Sequence, residues 1–364
     1  MKVLHVITGL GVGGAETQLR MVLQHTRHDA EVLTLYNPST VAKQIEDDGN
    51  RVRDLGMRKN TELSALWRLR KIIRAGRYDV VHVHLYRAQI YGRLAAKLAG
   101  VPVVVTSEHS IGETHIERRR MTAGVRALYL ATDLCSDATI AVSDVVRERL
   151  VRWGVRERKI VTIPNGLAFD GLAFDSVGRK ATRDEFGIPQ DAFVLGVLGR
   201  LDPYKRIDIA IQAAAPLLGE QVRMLIVGKG DDHERLAGVA DKLGVAEWVT
   251  FAGYQADGTA MLSTLDLYVS TSEQETFGLS VLEALTNGMP ALYCACPALD
   301  GIDTDRARQV AGHPAAVRAE IARELSAGPR PRESVPEVQK RYGIESVTSQ
   351  IDDLYQRLLE TKRR

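Results

Sequence analysis

The sequence predicts an α/β protein built from two doubly wound domains, each a parallel sheet with helices on both faces. Short β-branched runs alternate with longer stretches whose apolar residues recur at helical spacing. This alternation breaks in a Gly- and Asp-containing segment around residue 172 and then starts again. The length of 364 residues also fits two domains of ordinary size.

The first half contains six short runs rich in Val, Ile and Thr, which we predict as strands at 3–8, 31–36, 80–85, 101–107, 139–142 and 159–163. Two of the stretches between them, 62–75 and 88–99, have the apolar spacing of amphipathic helices. Strands that alternate with helices are typical of parallel sheets. We therefore assign residues 1–172 to an N-terminal domain.

The second half repeats the pattern, with strands predicted at 193–198, 223–227, 248–252, 267–270 and 290–294. Residues 173–345 form the second predicted domain. The stretch 346–359 predicts a final amphipathic helix, because five apolar residues fall on one of its sides: Val347, Ile351, Leu354, Tyr355 and Leu358.

The net charge is only +2, from 48 basic and 46 acidic side chains, which argues against nucleic acid as a partner. Residues 1–180 carry 28 basic and 19 acidic side chains, whereas the remainder carries 20 and 27. A basic first domain suits an anionic acceptor or a membrane surface, although uneven solvated charge explains the asymmetry equally well.

Three cysteines, Cys135, Cys294 and Cys296, form no disulfide framework and lack the ligand spacing of a zinc site. We therefore expect a reducing, cytoplasmic compartment. No apolar run approaches the roughly 18 residues of a membrane span. The first residues are better interpreted as a strand before a glycine turn than as a signal peptide.

A glycine-rich turn, Gly9-Leu-Gly-Val-Gly13-Gly14, follows the first strand and matches the G-x-G-x-x-G pattern of dinucleotide-binding folds. The second strand, however, ends at Tyr36-Asn37 without the acidic residue that would hold the ribose of NAD(P). We therefore do not expect an NAD(P) oxidoreductase. The glycines still allow close approach of a ligand, and the helix start behind them favours an anion; a tight turn without a ligand is the alternative.

Two cations, Arg200 and Lys205, lie in a loop at the carboxyl end of the strand predicted at 193–198, where open α/β sheets bind ligands. Arginine offers a planar fork and lysine a mobile point charge. The pair therefore suits a diphosphate, and each charge-assisted contact contributes about 1.5–3 kcal/mol. A solvated basic turn is the alternative.

Two glutamates, Glu275 and Glu283, flank the helix start predicted at Gly278-Leu279, whose free amides favour an anion. Glu275 is placed to accept hydrogen bonds from sugar hydroxyls, and Glu283 from a ribose diol. If the span were all helical, the carboxylates would be about 12 Å apart, which exceeds the roughly 5–9.5 Å of glycosidase pairs. We interpret them as binders of two parts of one ligand; helix capping is the alternative.

Together these segments resemble the family 4 glycosyltransferases. The resemblance rests on Gly13-Gly14-Ala-Glu16, Glu108-His109, Asn165-Gly166, Gly199-Arg200 with Lys205, and Glu275 with Phe277-Gly278-Leu279 and Glu283. It covers roughly residues 3–295. The family implies the GT-B fold, with two facing Rossmann-like domains, a nucleotide-sugar cleft between them and a C-terminal crossover helix, here 346–364, that returns to the first domain.

The resemblance implies a retaining, metal-independent transfer of a sugar from a nucleotide-diphospho-sugar, with UDP favoured and no cofactor. Arg200 and Lys205 would hold the diphosphate and stabilise it as it leaves. Glu275 would orient the hydroxyls of the donor sugar, and Glu283 would bind the ribose. The backbone beside the sugar and phosphate would come from Phe277, Gly278 and Leu279.

In the first domain, the resemblance places His109 against the reacting sugar and Gly13 and Gly14 near the diphosphate. The segments that flank the nucleotide base would contain Gly228, Gly253 and Tyr254. The acceptor stays open among a lipid carrier, a growing polysaccharide and a small aglycone. The alternatives to a transferase are a nucleotide-sugar epimerase or hydrolase of similar fold and a non-catalytic nucleotide-sugar-binding protein.

Two patterns match metal-ligand motifs. His82-Val-His84 puts both rings on one face of a strand, but no third ligand is evident in the sequence, so we interpret these residues as lining or core histidines. Asp303-Thr-Asp305 matches the D-x-D metal motif of another glycosyltransferase fold. It falls in a region of poor strand character, and we interpret it as an accidental loop pair.

A run of three arginines precedes an apolar helical stretch: Arg118, Arg119 and Arg120. With Arg126, Leu128, Tyr129 and Leu130 they are able to form a basic amphipathic face, which suits either a peripheral contact with anionic lipid or an anionic acceptor. An ordinary solvated helix is the alternative.

Overall fold

The computed structural model describes residues 1–117 and 119–363. The chain forms two compact units. Unit 1 consists of Met1–Leu167 and Tyr342–Arg364, and unit 2 consists of Ala168–Arg341. Each unit contains a parallel sheet with helices packed on it, so the α/β class predicted from the sequence is confirmed.

The described residues of unit 1 form nine strands: β1 (Lys2–Ile7), β2 (Asp29–Thr34), β3 (Arg51–Asp54), β4 (Val80–His84), β5 (Val103–Glu108), β6 (His115–Ile116), β7 (Arg119–Arg120), β8 (Ala138–Ala141) and β9 (Ile160–Thr162). Seven of them form a parallel sheet of order β3-β2-β1-β4-β5-β8-β9. The other two, β6 and β7, pair as a separate antiparallel hairpin. All five residues of β4 are buried, because a central parallel strand is covered on both faces.

The helices in the first segment of unit 1 are α1 (Gly14–His25), α2 (Thr40–Asp47), α3 (Leu63–Gly76), α4 (Tyr86–Ala99), α5 (Ala123–Asp133) and α6 (Asp144–Trp153), with a 3₁₀ turn at Glu157–Lys159. Helix α1 starts directly after the glycine turn and buries one face. Helix α4 packs on β1, β4 and β5. The glycine-rich turn connects β1 to α1, as the sequence predicts.

Unit 2 has six strands: β10 (Phe193–Leu198), β11 (Val222–Val227), β12 (Val249–Gly253), β13 (Leu267–Ser270), β14 (Ala291–Tyr293) and β15 (Ala307–Gln309). They form a parallel sheet of order β12-β11-β10-β13-β14-β15. The strand order therefore reverses between β10 and β13. In open α/β sheets such a reversal opens a crevice at the carboxyl ends of the two strands.

The helices of unit 2 are α7 (Ser176–Glu185), α8 (Ile207–Ala214), α9 (His233–Lys242), α10 (Gly258–Thr264), α11 (Leu279–Thr286), α12 (Pro314–Ala327) and α13 (Pro336–Tyr342), whose last residue already belongs to unit 1. Short 3₁₀ turns lie at Phe169–Leu172, Pro203–Lys205, Ala215–Leu217, Ala246–Trp248 and Pro297–Leu299. Helix α7 is fastened by a buried ion pair between Arg183 and Asp266, with Nη2 and Oδ2 2.9 Å apart. The Asp266 carboxylate also accepts a hydrogen bond from the backbone N–H of Val194 at 2.8 Å.

The last helix, α14 (Ile344–Arg363), belongs to unit 1. Its buried Asp352 accepts hydrogen bonds from the Thr26 hydroxyl at 2.8 Å and from the Arg27 backbone N–H at 3.1 Å. Of the five apolar residues predicted to face inward, four are buried, and Leu359 is buried in place of Leu358.

The structural boundaries differ by a few residues from 1–172 and 173–345. Residues 168–172 lie with unit 2, where the side-chain amide of Asn287 donates a hydrogen bond to the carbonyl oxygen of Leu172 at 3.0 Å. At the other crossing, the Leu167 N–H donates to the Tyr342 carbonyl oxygen at 2.8 Å, and the Ile344 N–H donates to the Leu167 carbonyl oxygen at 3.1 Å. These bonds hold the start of α14 against unit 1.

Within the described ranges 1–117 and 119–363, no helix combines the length and apolar character that a membrane span requires. All three cysteines are free thiols, and Cys294 and Cys296 are buried. Burial raises the pKa of the Cys294 thiol to about 11 and that of the Cys296 thiol to about 12. Both thiols therefore stay protonated at neutral pH.

Candidate active site

Three loops of unit 2 lie side by side at the carboxyl ends of β10, β11 and β12. The Gly199 N–H donates to the Val227 carbonyl oxygen at 3.0 Å, and the Leu201 N–H donates to the Lys229 carbonyl oxygen at 3.0 Å. The next loop is joined by a 2.8 Å hydrogen bond from the Gly228 N–H to the Gly253 carbonyl oxygen. The loops that hold Arg200, Gly228 and Gly253 are therefore one connected surface.

Gly228 is required where the first two of these loops meet. Its φ is +140°, and a Cβ atom there would lie 1.8 Å from the carbonyl oxygen of Gly199. No side chain fits at that distance, so the close approach depends on glycine at this position. The sequence predicted Gly228 as a residue that flanks a base, and the structure adds that it sets the position of the loop before Arg200.

Lys205 is held by a short 3₁₀ turn at Pro203–Lys205. The Asp202 side chain caps this turn by accepting a hydrogen bond from the Tyr204 N–H at 3.1 Å. Beyond the turn, the Thr271 hydroxyl donates to the carbonyl oxygen of Arg206 at 2.7 Å. This contact ties the loop after β10 to the segment after β13.

The structure brings Lys205 and Glu275 into direct contact, with 2.5 Å between Lys205 Nζ and Glu275 Oε1. A second ion pair joins the same two loops, because Arg206 Nη1 lies 2.8 Å from Glu273 Oε2. The Arg200 side chain is 52% exposed and lies 3.7 Å from the Asp202 carboxylate. Lys205 is thus held closely by a carboxylate of the neighbouring loop, whereas Arg200 has a longer carboxylate contact and is half exposed.

Opposing effects set the charge on Glu275. Burial raises the pKa of this carboxyl, but the charge and hydrogen bond of Lys205, a hydrogen bond with Ser272 and the charge of Arg200 together lower it by more. The pKa therefore lies below its ordinary value. Glu275 is a carboxylate at neutral pH and is able to accept hydrogen bonds from hydroxyl groups.

The helix start beside Glu275 is shaped by Gly278, which has a φ of +103° and directly precedes α11. A Cβ atom on Gly278 would lie 2.4 Å from the Cys296 sulfur. The buried Phe277 is held by its carbonyl oxygen, which accepts a 3.0 Å hydrogen bond from the Ala298 N–H. The first amide of α11, at Leu279, follows Glu275 by four residues in the chain, and Cys296 is a packing residue that the sequence did not assign.

Glu283 lies further along α11, and burial raises the pKa of its carboxyl to about 7. The neighbouring Tyr268 was missed in the sequence, where it appears as an ordinary residue of β13. Its hydroxyl donates to the Leu198 carbonyl oxygen at 3.1 Å and also forms a hydrogen bond with Ser280. The two glutamates Glu275 and Glu283 both raise the pKa of this phenol, which burial raises most. Tyr268 thus lies under the predicted site.

Tyr254 directly follows β12 and is half-buried. The preceding Gly253 has a φ of +66°, and a Cβ atom there would be 3.7 Å from the Lys229 side chain. The last predicted segment of the site therefore belongs to the same row of loops as Gly228.

Unit 1 holds the remaining predicted residues. Gly13 precedes α1 with an extended backbone, Gly14 is the first residue of the helix, and the Gly13 carbonyl oxygen accepts the Thr17 N–H at 3.0 Å. His109 follows β5, and its Nε2 lies 3.4 Å from Nδ1 of His84. Burial lowers the pKa of His109 to about 4, partly offset by a hydrogen bond with Asn165.

The structure distinguishes the two sequence motifs that match metal ligands, Asp303-Thr-Asp305 and His82-Val-His84. Asp303 and Asp305 lie in the loop before β15. In the part of the chain that the structure describes, the group of side chains close enough to share a metal ion is instead His5, His82 and His84. The sequence singled out two of these residues and missed His5, which β1 places beside His82.

The structure groups Arg200, Lys205, Glu275 and Gly278 in unit 2, on the segments after β10 and β13, and places Glu283 on the following helix α11. His109, Gly13 and Gly14 belong to unit 1. Among the predicted membrane-contact residues, Arg118 lies outside the described residues. Arg119 stacks on Tyr86, with 5.4 Å from the guanidinium carbon to the ring centroid, and Arg120 is exposed.

Comparison with known proteins bears on the family and the fold of the chain. A family model described as Glycosyltransferase Family 4 matches residues 12–170, and one described as Glycosyl transferases group 1 matches residues 178–324. In structure, the chain is similar to HepE of Anabaena solved in complex with UDP-glucose. The TM-score is 0.86 at 21% sequence identity, covering 97% of this chain and 99% of the other.

In sequence, the chain is 26% identical over 238 residues to an Escherichia coli UDP-Gal:alpha-D-GlcNAc-diphosphoundecaprenol alpha-1,3-galactosyltransferase. It is 29% identical over 276 residues to a D-inositol 3-phosphate glycosyltransferase of Actinosynnema mirum. These matches cover 64% and 70% of this chain, and the chain spans only 61% and 62% of the length of the two relatives. The two family models together cover most of the chain, and its fold is GT-B. The chain belongs to the family 4 glycosyltransferases.

Proposed function

We propose that this protein is a retaining glycosyltransferase that moves a sugar from a nucleotide-diphospho-sugar to an acceptor hydroxyl, with a UDP-sugar as the donor. The observation that carries the proposal is the 2.5 Å contact between Lys205 and Glu275 beside the start of α11, with Arg200 projecting from the same loop. These groups lie where the strand order reverses in unit 2. That is the position at which open α/β sheets bind nucleotides.

Lys205 and Arg200 supply positive charge for the diphosphate. Negative charge builds on the diphosphate as the bond to the sugar breaks, so these cations and the first amides of α11 act mainly in the transition state. Glu275 is ionised and accepts hydrogen bonds from hydroxyls of the donor sugar, while Glu283 accepts them from the ribose. The departing phosphate takes the proton of the acceptor hydroxyl, so no separate protein base is needed.

The choice of UDP is supported by the comparisons. HepE was solved with UDP-glucose, and the name of the E. coli relative specifies a UDP-galactose donor. A panel of nucleotide sugars examined by thermal shift identifies the donor. A ligand at 100 times its Kd adds about 2.7 kcal/mol of stability, which such a screen resolves.

The acceptor side of the proposal includes a peripheral contact with anionic lipid on the cytoplasmic side. Leu128 on α5 is 47% exposed, Leu134 just after the helix is 64% exposed, and Arg120 is exposed on β7 before it. Co-sedimentation with anionic and neutral vesicles tests this contact. A double variant, Leu128→Ser with Arg120→Glu, is expected to lose binding to the anionic vesicles, and equal binding by variant and wild type would reject the contact.

The central experiment replaces Lys205 with alanine. We expect Lys205→Ala to lower kcat by about 10²-fold or more, the scale of removing one preorganised donor from a developing oxyanion. The assay follows UDP release and the anomeric configuration of the product with the donor found by thermal shift. Lys242→Ala is the matched control, because it removes a lysine from α9 in the same unit.

Unchanged turnover in folded Lys205→Ala would reject the role given to this lysine. Incubation with donor alone separates the alternatives: free sugar indicates a hydrolase, an isomerised sugar indicates an epimerase, and donor binding without any product indicates a non-catalytic binding protein. An inverted anomeric configuration would reject the retaining mechanism.

Metal removal provides a second prediction. In this proposal, protein cations and the amides at the start of α11 stabilise the negative charge of the diphosphate in place of a metal ion. We therefore expect transfer to persist in EDTA. The measurement compares initial rates with and without the chelator, and with Mg²⁺ or Mn²⁺ restored. A strict requirement for added Mg²⁺ or Mn²⁺ would contradict the assignment.

A further inference from the structure

Three buried histidines face one another on the sheet of unit 1. His82 and His84 are two residues apart on β4, so their side chains lie on the same face of the strand. His5 on β1 pairs in register with His82, which puts its side chain on that face as well. All three are at most 5% exposed. The sheet therefore delivers three imidazoles to one place from two neighbouring strands.

The ring nitrogens of this histidine cluster (His5, His82 and His84) are close together. Nδ1 of His5 lies 3.1 Å from Nε2 of His84, and one ligand atom from each of the three side chains lies within 4.8 Å of the others. Zinc–nitrogen bonds of about 2.0–2.1 Å put the ligand atoms of a tetrahedral site about 3.4 Å apart. The His5–His84 pair is already close to this spacing, and a nitrogen of His82 lies within 4.8 Å of a ligand atom on each of the other two side chains, so a tetrahedral site requires a local movement of the rings.

The imidazoles are neutral, which is the form that binds metal ions. Burial lowers the pKa of His5 to about 3 and the pKa values of His82 and His84 well below their ordinary value. Neighbouring histidines lower the last two further. Each ring therefore carries a lone pair at neutral pH.

The second ring nitrogens of His82 and His84 have partners that hold these two rings in place. Nδ1 of His82 lies 2.6 Å from the hydroxyl of Tyr355, and Nδ1 of His84 lies 3.4 Å from Nε2 of His109. Metal-binding histidines usually have such a contact on the nitrogen that does not bind the ion, because it fixes the tautomer and the ring orientation. Nε2 of His82 then exchanges its 2.8 Å contact with the Ser107 hydroxyl for the metal.

A narrow pocket adjoins the cluster. It is lined by the three histidines together with residues of α1, α14 and the strand ends, among them Gln18, Asn165 and His109. Burial raises the pKa of the Tyr355 phenol, and the charge of Asp352 raises it further. The pocket leaves room for a water molecule or another small ligand at a fourth coordination position.

We propose that His5, His82 and His84 form a binding site for a divalent transition-metal ion of the zinc class, with the fourth position open to the pocket beside His109. Three nitrogen ligands suit Zn²⁺, Co²⁺, Ni²⁺ or Cu²⁺, whereas Mg²⁺ and Ca²⁺ prefer oxygen ligands. No residue of this site is assigned to the donor diphosphate, and the transfer proposed above does not use the ion.

The first test measures Zn²⁺ binding to chelator-treated protein by calorimetry, without donor or acceptor. We expect one equivalent to bind the wild type, and at least about ten-fold weaker binding in His5→Ala and in His84→Ala. His233→Ala is the control, because it removes an exposed histidine of unit 2 and should bind Zn²⁺ like the wild type. No equivalent in the wild type, or equal binding in all three variants, would overturn the site.

The second test needs no substitution, so it does not depend on how the variants fold. Co²⁺ added to the chelator-treated wild type should give the intense visible absorption of a four-coordinate site with nitrogen ligands, and Zn²⁺ should displace it. Weak absorption typical of hexaaqua Co²⁺ would overturn the proposal. Neither readout depends on catalysis, so loss of transfer in Lys205→Ala leaves this site intact, and failure of the metal site leaves the transferase proposal intact.

Discussion

Glu275 and Glu283 belong to one proposed site, but their pKa values are shifted in opposite directions. The cation Lys205 holds the pKa of Glu275 below its ordinary value, whereas burial raises the pKa of Glu283 to about 7. One carboxyl is therefore ionised throughout the neutral range, and the other changes its charge within that range. A ribose diol donates two hydrogen bonds to an ionised carboxylate and fewer to a protonated one.

Donor binding should therefore depend on pH through Glu283. We expect the affinity for the donor to rise about ten-fold between about pH 6 and pH 8, because a group with a pKa near 7 goes from mostly protonated to mostly ionised. A nucleotide sugar is the right ligand, since its two phosphates stay ionised over this range. Calorimetry on the wild type and on Glu283→Gln makes the measurement, and a variant as pH-dependent as the wild type would contradict it.

The Glu283 carboxyl also makes the free energy of unfolding depend on pH. Between its ordinary value of 4.5 and about 7, folded Glu283 retains a proton that the unfolded chain has released. Its contribution to the free energy of unfolding therefore falls as pH rises through this window. Glu283→Gln should remove that part of the pH dependence.

At the level of secondary-structure elements, the strands that the sequence predicts well are the buried central ones. Strands β1, β4 and β10 are nearly continuous apolar runs, because both faces of a parallel sheet are covered. The sequence missed β3, which reads Arg-Val-Arg-Asp, and β15, which reads Ala-Arg-Gln. Both are short edge strands that pair on one side only, so their polar residues carry no apolar signal.

The loops after the strands were predicted by residue type, but their contacts were not. The sequence placed Arg200, Lys205 and Glu275 at strand ends, and the reversal of strand order brings them together. His5 was missed for the related reason that β1 and β4 are neighbours in the sheet but about 75 residues apart in the chain. Sequence spacing within one strand shows which residues share a face, and the register between strands comes from the whole sheet.

Gly228→Ala tests the contact between two of these loops. The added Cβ atom would lie 1.8 Å from a backbone oxygen at a φ of +140°, so we expect the loops to separate, the melting temperature to fall and donor binding to be lost. Gly219→Ala is the control, because nothing lies within 4 Å of a Cβ atom there. Differential scanning fluorimetry and donor calorimetry make the comparison, and equal behaviour of the two variants would disprove the explanation.

At the level of the whole molecule, unit 1 is closed by a helix that follows unit 2 in the chain. Asp352 on α14 makes its hydrogen bonds to Thr26 and Arg27, more than 320 residues earlier. The neighbouring Asp353 pairs with Arg27 in a 49% exposed position. Helix α14 thus contains one aspartate with buried hydrogen bonds and one with an exposed ion pair, and the two can be compared by mutation.

Asp352→Ala should destabilise unit 1. Two hydrogen bonds to a buried carboxylate are lost, each worth about 1.5–3 kcal/mol, so we expect the free energy of unfolding to fall by about 1.5 kcal/mol or more. Asp353→Ala should cost at most about 1 kcal/mol, because exposed ion pairs contribute little. Urea unfolding measures both, and an Asp353→Ala loss as large as that of Asp352→Ala would refute the argument.

The route of the chain through unit 1 also fixes the order in which the protein is completed on the ribosome. Residues 168–341 emerge between the two parts of unit 1, so unit 2 has its whole sequence available before α14 has been translated. Domains generally fold as units during synthesis. The sheet of unit 1 therefore cannot be covered by α14 until this helix has left the ribosome. Until then, the surface around His82, which contacts Tyr355 of α14, stays uncovered. A nascent chain stalled before residue 344 would leave that surface accessible to chaperones.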